Sequence, residues 1–288
     1  MRYNNRIARY KTSRTTPPVL ARGLHGHVMR AAGASLLMLL ASGAYAADDS
    51  IVTDRPDFVE SSNVVGKQRL QIETSVALER KHADGVRTRT LTTPTLFRYG
   101  VSDALELRVE SDGRVVERTQ DDQSGQSTTQ RGFADTSLGI KYHVLDENGW
   151  MPSLALLLHA DLASGSRPFR GNGVRPSLRV TGEWELPSDF SLGIMTGLVL
   201  DKNDADKRFT ASLFGITLGK KLNEAFRGFV EFSAPQIARA ANGGTVARVS
   251  TGVAYLLSKD CQLDTAISRG LNRNTPDLAW TVGFSIRL

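Results

Sequence analysis

From Gln68 onward the chain alternates apolar and polar residues with a period of two. Leu70, Ile72, Val76 and Leu78 share one face of the first segment, and Gln71, Glu73, Ser75 and Glu79 the other. Strand side chains point alternately to opposite faces, so this pattern predicts half-buried β-strands and leaves little room for helix. The same alternation returns at Leu105–Glu110, Ser137–Val144, Leu178–Trp184 and Trp280–Leu288. It marks twelve segments: 68–80, 88–99, 104–117, 133–145, 151–162, 175–186, 190–200, 209–221, 226–234, 245–257, 261–269 and 277–288. Several reach the length of about 9–11 residues that a tilted strand needs to cross a bilayer, against about 5–6 in an ordinary globular strand.

The connections sort by length. Short ones at 99–103, 146–149, 187–189, 222–225 and 258–260 alternate with polar, mostly longer ones at 81–87, 118–132, 163–174, 201–208, 235–244 and 270–276. Outer-membrane barrels have tight periplasmic turns and longer external loops, whereas a soluble sandwich has no reason to sort its loops. The predicted fold is all-β: an antiparallel transmembrane β-barrel of about 12 strands, with short periplasmic turns and longer external loops. An even strand number puts both ends of the barrel on the periplasmic side. Closure removes the unpaired edges that lipid would otherwise penalise.

The apolar face then meets lipid. Phe97, Tyr99, Tyr142, Trp184, Phe226, Phe232, Tyr255 and Trp280 fall on it, many near segment ends, as interface girdles do. The opposite face collects the lumen-lining candidates Glu73, Glu106, Arg108, Glu110, Lys141, His143, His159, Asp161, Arg179, Glu183, Arg227, Glu231, Arg248, Asp264 and Arg287. Their mixed signs argue against a strong anion or cation filter. Two readings stay open: cross-barrel ion pairs that fill a narrow lumen, or a passage for small polar or amphipathic solutes. The Gly-, Ser- and Gln-rich loops 118–132 and 163–174 are candidates to fold over the mouth.

Charge sharpens the picture once it is divided. The chain of 288 residues has 36 Lys+Arg against 30 Asp+Glu, a net of +6, which by itself would suggest an anionic partner. Residues 1–46 hold seven of the basic residues and no acid, leaving 29 against 30 in 47–288. Arg30, the apolar run Ala31–Leu40 and Ala44-Tyr45-Ala46 read as a secretory signal peptide cleaved after Ala46, with Met29 a candidate true start. An organellar transit peptide is the rival reading. The predicted division is therefore a signal peptide (1–46), a periplasmic N-terminal segment (47–67) and an outer-membrane barrel (68–288). A nucleic-acid partner is not expected.

Other candidate chemistry is sparse. The 146–149 turn would set Ser137 and Asp135 roughly opposite His159 and Asp161, so Ser137/His159/Asp161 form a candidate nucleophile, base and orienter. No G-x-S-x-G elbow is present, however, and the reading ranks last, with no catalytic residues assigned. His143 has no second ligand at metal spacing. Asp201–Lys207 lacks the glycine and terminal glutamate of an EF-hand loop. Cys261 is the single cysteine, so there is no disulfide framework. No metal and no cofactor are expected. Glycines in 190–221 and Gly283 read as places of barrel bending or close lumen packing.

Thr53-Asp54-Arg55-Pro56, followed by Glu60-Ser61, and later Phe97-Arg98-Tyr99-Gly100-Val101-Ser102-Asp103, carry a resemblance. The sequence resembles the bacterial outer-membrane transporter family of the MetA-pathway of phenol degradation, over most of 51–288. The resemblance implies an outer-membrane barrel and a link to uptake of aromatic or other small hydrophobic compounds; it supplies no catalytic residues. Thr53, Asp54, Arg55, Pro56, Glu60 and Ser61 are its motif residues, whose segment either caps the periplasmic opening or enters the lumen. The chain ends on Leu288 where such barrels usually end on Phe. The expected function is a transporter or channel for small solutes; the alternatives are a structural or surface-interaction barrel and, last, a barrel hydrolase. The expected partners are outer-membrane lipid and lipopolysaccharide, the barrel-assembly machinery and a small-molecule solute.

Overall fold

A computed structural model describes residues 50–203 and 205–288. The predicted leader and its predicted cleavage site lie outside them. The strands are β1 (Leu70–Ala83), β2 (Val86–Thr92), β3 (Thr95–Gly100), β4 (Leu105–Ser111), β5 (Arg114–Asp121), β6 (Ser127–Phe133), β7 (Thr136–Leu145), β8 (Ser153–Asp161), β9 (Arg175–Leu186), β10 (Phe190–Lys202), β11 (Arg208–Lys221), β12 (Phe226–Ile237), β13 (Val246–Ser258), β14 (Cys261–Gly270) and β15 (Leu278–Arg287). Every neighbouring pair is antiparallel, and β15 returns to β1, closing the sheet. Leu70 and Leu288 complete the seam with a backbone bond at 2.7 Å.

Fifteen strands make a barrel of twelve staves because three staves are broken at one level. β2 runs into β3 across Thr93-Pro94, β4 into β5 across Asp112-Gly113, and β6 into β7 across Ala134-Asp135. The breaks are tied across the staves, Thr93 N–H to the Asp112 carbonyl at 3.0 Å and Ala134 N–H to the Gly113 carbonyl at 2.8 Å. Proline cannot donate to the ladder, and Gly113 takes φ +64°, where a Cβ would also meet the Thr93 carbonyl at 2.3 Å. Beyond this line β2, β5 and β6 continue as an arm on the external side.

The arm corrects two loop expectations. Residues 81–87 are not a long loop: β1 and β2 turn on Asp84-Gly85, both at positive φ, as a two-residue hairpin requires. Residues 118–132 do not fold over the mouth but extend β5 and β6 to a turn at 122–126. The 162–174 connection instead closes the gap between β6 and β8. Ser166 and Phe133 exchange hydrogen bonds at 2.9 Å, and Phe169 packs on Val115 and Ala134.

The barrel is apolar outside and polar within. Val76, Phe97, Leu107, Leu138, Leu158, Val230 and Val282 are exposed on the outer face, while Arg98, Lys141 and Glu106 are each 0% exposed inside. Tyr99, Tyr142, Trp184, Phe226 and Tyr255 stand near the short-turn end, with the Phe226 and Tyr255 rings in tilted contact, centroids 4.5 Å apart. Trp280 stands near the other end. The outer residues satisfy lipid and the closed ladder satisfies the backbone.

Candidate functional site

The centre of the lower lumen is main chain. Residues 51–65 enter the barrel and are held there by its wall, the second of the two placements the motif segment left open. Ile51 N–H anchors it to the Lys259 carbonyl at 2.6 Å. Thr53, Asp54, Phe58, Val59, Glu60, Ser61, Ser62 and Val65 are all buried. Pro56 keeps the stretch from forming a helix of any length, so its N–H groups need partners from the wall.

Carboxylates on the strands supply them. Glu73 accepts Asp54 N–H at 3.0 Å, and Glu231 accepts those of Phe58 at 2.7 Å and Val59 at 2.9 Å. Glu183 takes the Ser62 N–H at 2.6 Å and the Ser61 hydroxyl at 3.0 Å, and Glu106 takes the Val65 N–H at 3.0 Å. The plug's carbonyls bind wall donors: Glu60 binds the Thr181 hydroxyl at 2.6 Å, Ser61 binds Lys141 at 2.7 Å and Arg55 binds Arg227 at 3.2 Å. His143 Nδ1 is 3.1 Å from the Ser62 carbonyl.

The plug's own charges join the same lattice. Asp54 receives Arg108 at 2.6 Å and Lys141 at 2.9 Å, and Glu60 receives Arg108 at 2.9 Å together with Arg179. Arg55 reaches the opposite wall, to Asp264 and the Thr281 hydroxyl, both at 3.0 Å. Arg98 ties Glu73 at 2.9 Å to Glu106 at 2.8 Å and lies 3.7 Å from Asp54. Four carboxylates (Asp54, Glu60, Glu73, Glu106) thus face four cations (Arg98, Arg108, Lys141, Arg179), which is what lets so much charge stay buried. Burial alone would push the Asp54 carboxyl up, but Arg98, Lys141 and Arg108 hold it well below the usual carboxylate range. Burial pushes the Asp57 carboxyl up, with Arg227 opposing.

Ten of the fifteen sequence candidates touch the plug: Glu73, Glu106, Arg108, Lys141, His143, Arg179, Glu183, Arg227, Glu231 and Asp264. Five do not. Glu110 and Asp161 line the open cavity above. Arg248 binds the Ser233 hydroxyl at 3.3 Å, and Arg287 binds Asp260 at 2.6 Å. His159 stands opposite Gly139, and Ser137 opposite Asp161. The imidazole covers Gly139 so closely that a Cβ there would come within 2.0 Å of His159 Cδ2. In the Asp201–Lys207 loop, Lys202 binds Asp206 at 2.8 Å.

Sequence reasoning passed over Arg98, Gln71, Thr181 and Gln262, all of which hold the plug or its lattice. Arg98 was readable, since it alternates with outward Phe97 and Tyr99. The glycines had a second meaning as well. A Cβ on Gly215 would lie 2.8 Å from Val59 and 2.9 Å from Phe58, one on Gly193 3.1 Å from Val59, and one on Gly283 2.5 Å from Arg55. These inward positions are bare because the plug occupies their space.

Above the plug the lumen opens into a vestibule of about 380 Å³. Its floor includes Asp54, Phe58 and Glu60; its wall mixes Val199, Phe209 and Leu213 with Lys81, Asp201 and Lys202. Phe58, Val59, Met195 and Leu213 form an apolar cluster inside an otherwise polar barrel, with Val199 packed against it. The arrangement offers an apolar surface bordered by charge at the foot of an open chamber.

No curated protein matches the sequence. Among solved structures, an outer membrane channel from Pseudomonas putida F1 is similar, with a TM-score of 0.57 at 9% identity over 79% of this chain and 98% of that one. The β domain of the Bordetella autotransporter BrkA is similar at a TM-score of 0.50 and 12% identity, over 75% of this chain and 98% of that one. At these identities the likeness is one of fold. The family model described as "Putative MetA-pathway of phenol degradation" matches residues 53–288, from the first residue of the Thr-Asp-Arg-Pro motif to the last strand, and the chain belongs to that family.

Proposed function

We propose that the protein is an outer-membrane channel for small amphipathic solutes, aromatic compounds among them, in which residues 51–65 set the constriction. One observation carries this reading. The occluding element is a separate length of chain held by side-chain contacts, beneath an open vestibule with an apolar patch at its foot. A purely structural barrel of this width could fill its lumen with wall side chains, as small barrels do. Here the wall is instead carved back at Gly193, Gly215 and Gly283 to admit a removable segment.

The mixed charge of the vestibule disfavours selection by sign, while Phe58, Val199 and Leu213 offer contact to a ring or short alkyl group. Single-channel recording and liposome flux of refolded protein test the proposal with a panel of small aromatics, sugars and inorganic ions. Wild type is expected to pass small aromatic solutes faster than sugars of equal size. Absence of flux for every solute, in wild type and in a variant lacking residues 50–65, would instead favour a structural or adhesive barrel. Export through a leader removed after Ala46 belongs to the same proposal, checked by N-terminal sequencing of the mature protein.

A further inference from the structure

Two strand steps change the character of the outer surface on the external side. The register sets Trp280, Leu78, Leu91 and Val116 side by side across β15, β1, β2 and β5, the last apolar row of that face. The next row outward reads Arg269, Leu278, Arg80, Arg89 and Arg118 across β14, β15, β1, β2 and β5. Two residues along a strand advance about 7 Å, so this row stands just past the apolar surface, at headgroup depth.

The arginines are unusual neighbours. Arg80 is directly opposite Arg89, and Arg89 directly opposite Arg118. Opposed residues on one face have Cβ atoms about 4.5–5.5 Å apart, and like charges there destabilise a sheet. All four arginines of the row are exposed, and none has an ion-pair partner among the described residues. Asp122, on the turn beyond, is engaged by His82 at 2.8 Å and Arg87 at 2.9 Å. Such a row is stable when an external anion lies across it. Guanidinium groups fix phosphate oxygens in paired hydrogen bonds, and one phosphate can bridge two neighbouring strands.

We propose that Arg80, Arg89, Arg118 and Arg269 form a binding site for the phosphate groups of an outer-leaflet glycolipid, the lipid A part of lipopolysaccharide. The acyl chains would lie along Trp280, Leu78, Leu91 and Val116. The site rests on the membrane-barrel reading above and on that orientation. It also gives the arm a role: β2 and β5 carry Arg89 and Arg118 past the line where their staves break.

Native mass spectrometry of detergent-refolded full mature chain tests it, with bisphosphorylated lipid A, monophosphorylated lipid A and phosphatidylglycerol as probes. The comparison is wild type against the triple variant Arg80→Gln, Arg89→Gln, Arg118→Gln. Wild type is expected to retain bisphosphorylated lipid A at least about tenfold more tightly than the triple variant, with monophosphorylated lipid A between them. Tenfold corresponds to about 1.4 kcal/mol. Equal retention of lipid A by both proteins, or retention of phosphatidylglycerol equal to that of lipid A by wild type, would overturn the site. Heat-modifiable gel migration of both proteins separates this outcome from failure of the barrel itself, which would abolish the mobility shift in each.

Discussion

In the lower half of the lumen, Arg98 directs its five N–H groups at Glu73, at Glu106 twice, and at the Val52 and Asn63 carbonyls. In the upper half, Lys81, Asp201 and Lys202 border open space. Both halves are built by the same strands and the same inward parity. They differ in whether a second piece of chain is available to satisfy the wall's charges. Where residues 51–65 are present, charge is buried and balanced; where they end, the same kind of side chain borders the open vestibule. The plug and not the wall therefore defines where the barrel is closed.

Deleting residues 50–65 should abolish that difference and produce the largest effect. Conductance of the refolded barrel is expected to rise several-fold, with heat-modifiable migration retained as the sign that the barrel still forms. Conductance unchanged from wild type would mean that the wall side chains collapse inward and close the lumen themselves.

Substitution of Asp54 by Asn breaks the comparison more gently. The amide keeps the shape but takes the paired carboxylate from Lys141, at 2.9 Å, and one of three from Arg108, at 2.6 Å, which keeps Glu60 and Glu106. Removing one partner of a buried ion pair typically costs about 3–5 kcal/mol. The plug should unseat more often, seen as frequent openings in single-channel records and a lower temperature for the gel mobility shift. An opening frequency equal to wild type would show that the main-chain bonds to Glu231 and Glu183 hold the plug without Asp54.

How far each half could be read from sequence follows from the same contrast. Alternation fixes which face a residue takes, so the twelve staves, the outward aromatics and the inward charges were all legible. β9 ends where the pattern ends, at residues 175 and 186. Alternation cannot say what fills the lumen, because Glu231 looks the same whether it accepts two plug amides or faces water. The Thr-Asp-Arg-Pro motif flagged the segment but left open whether it capped the opening or entered. The information that decides this is spread over Gly193, Gly215 and Gly283, which are far apart in sequence and meaningful only once β10, β11 and β15 share one interior. The arm was missed for a different reason. Its strands are too polar to show an apolar stripe, and the one local signal there, the hairpin dipeptide Asp84-Gly85, sits among polar residues that read equally as loop.

The glycines give a graded test. Gly215→Ala places a methyl 2.8 Å from Val59 and 2.9 Å from Phe58, while Gly228→Ala on the next strand meets nothing closer than 3.7 Å. Overpacking of this kind costs about 1–3 kcal/mol. Gly215→Ala is expected to raise open probability, by less than Asp54→Asn does, and Gly228→Ala to match wild type. Equal behaviour of the two would mean the plug adjusts around an added methyl and is not tightly fitted to β11.

Phe58→Ala should act on the upper half alone and give the smallest change. The ring belongs to the plug yet lines the vestibule, packed with Leu213 and Val199. Its amide stays bonded to Glu231, so the plug remains seated by main chain and conductance to small ions is expected to stay near wild type. What should fall, by a small factor, is the preference for aromatic over sugar solutes in liposome flux, because the apolar surface at the foot of the chamber shrinks while its charged border is untouched. If ion conductance rises instead and the preference holds, Phe58 serves to anchor the plug, and the selectivity of the vestibule must come from the strand residues around it.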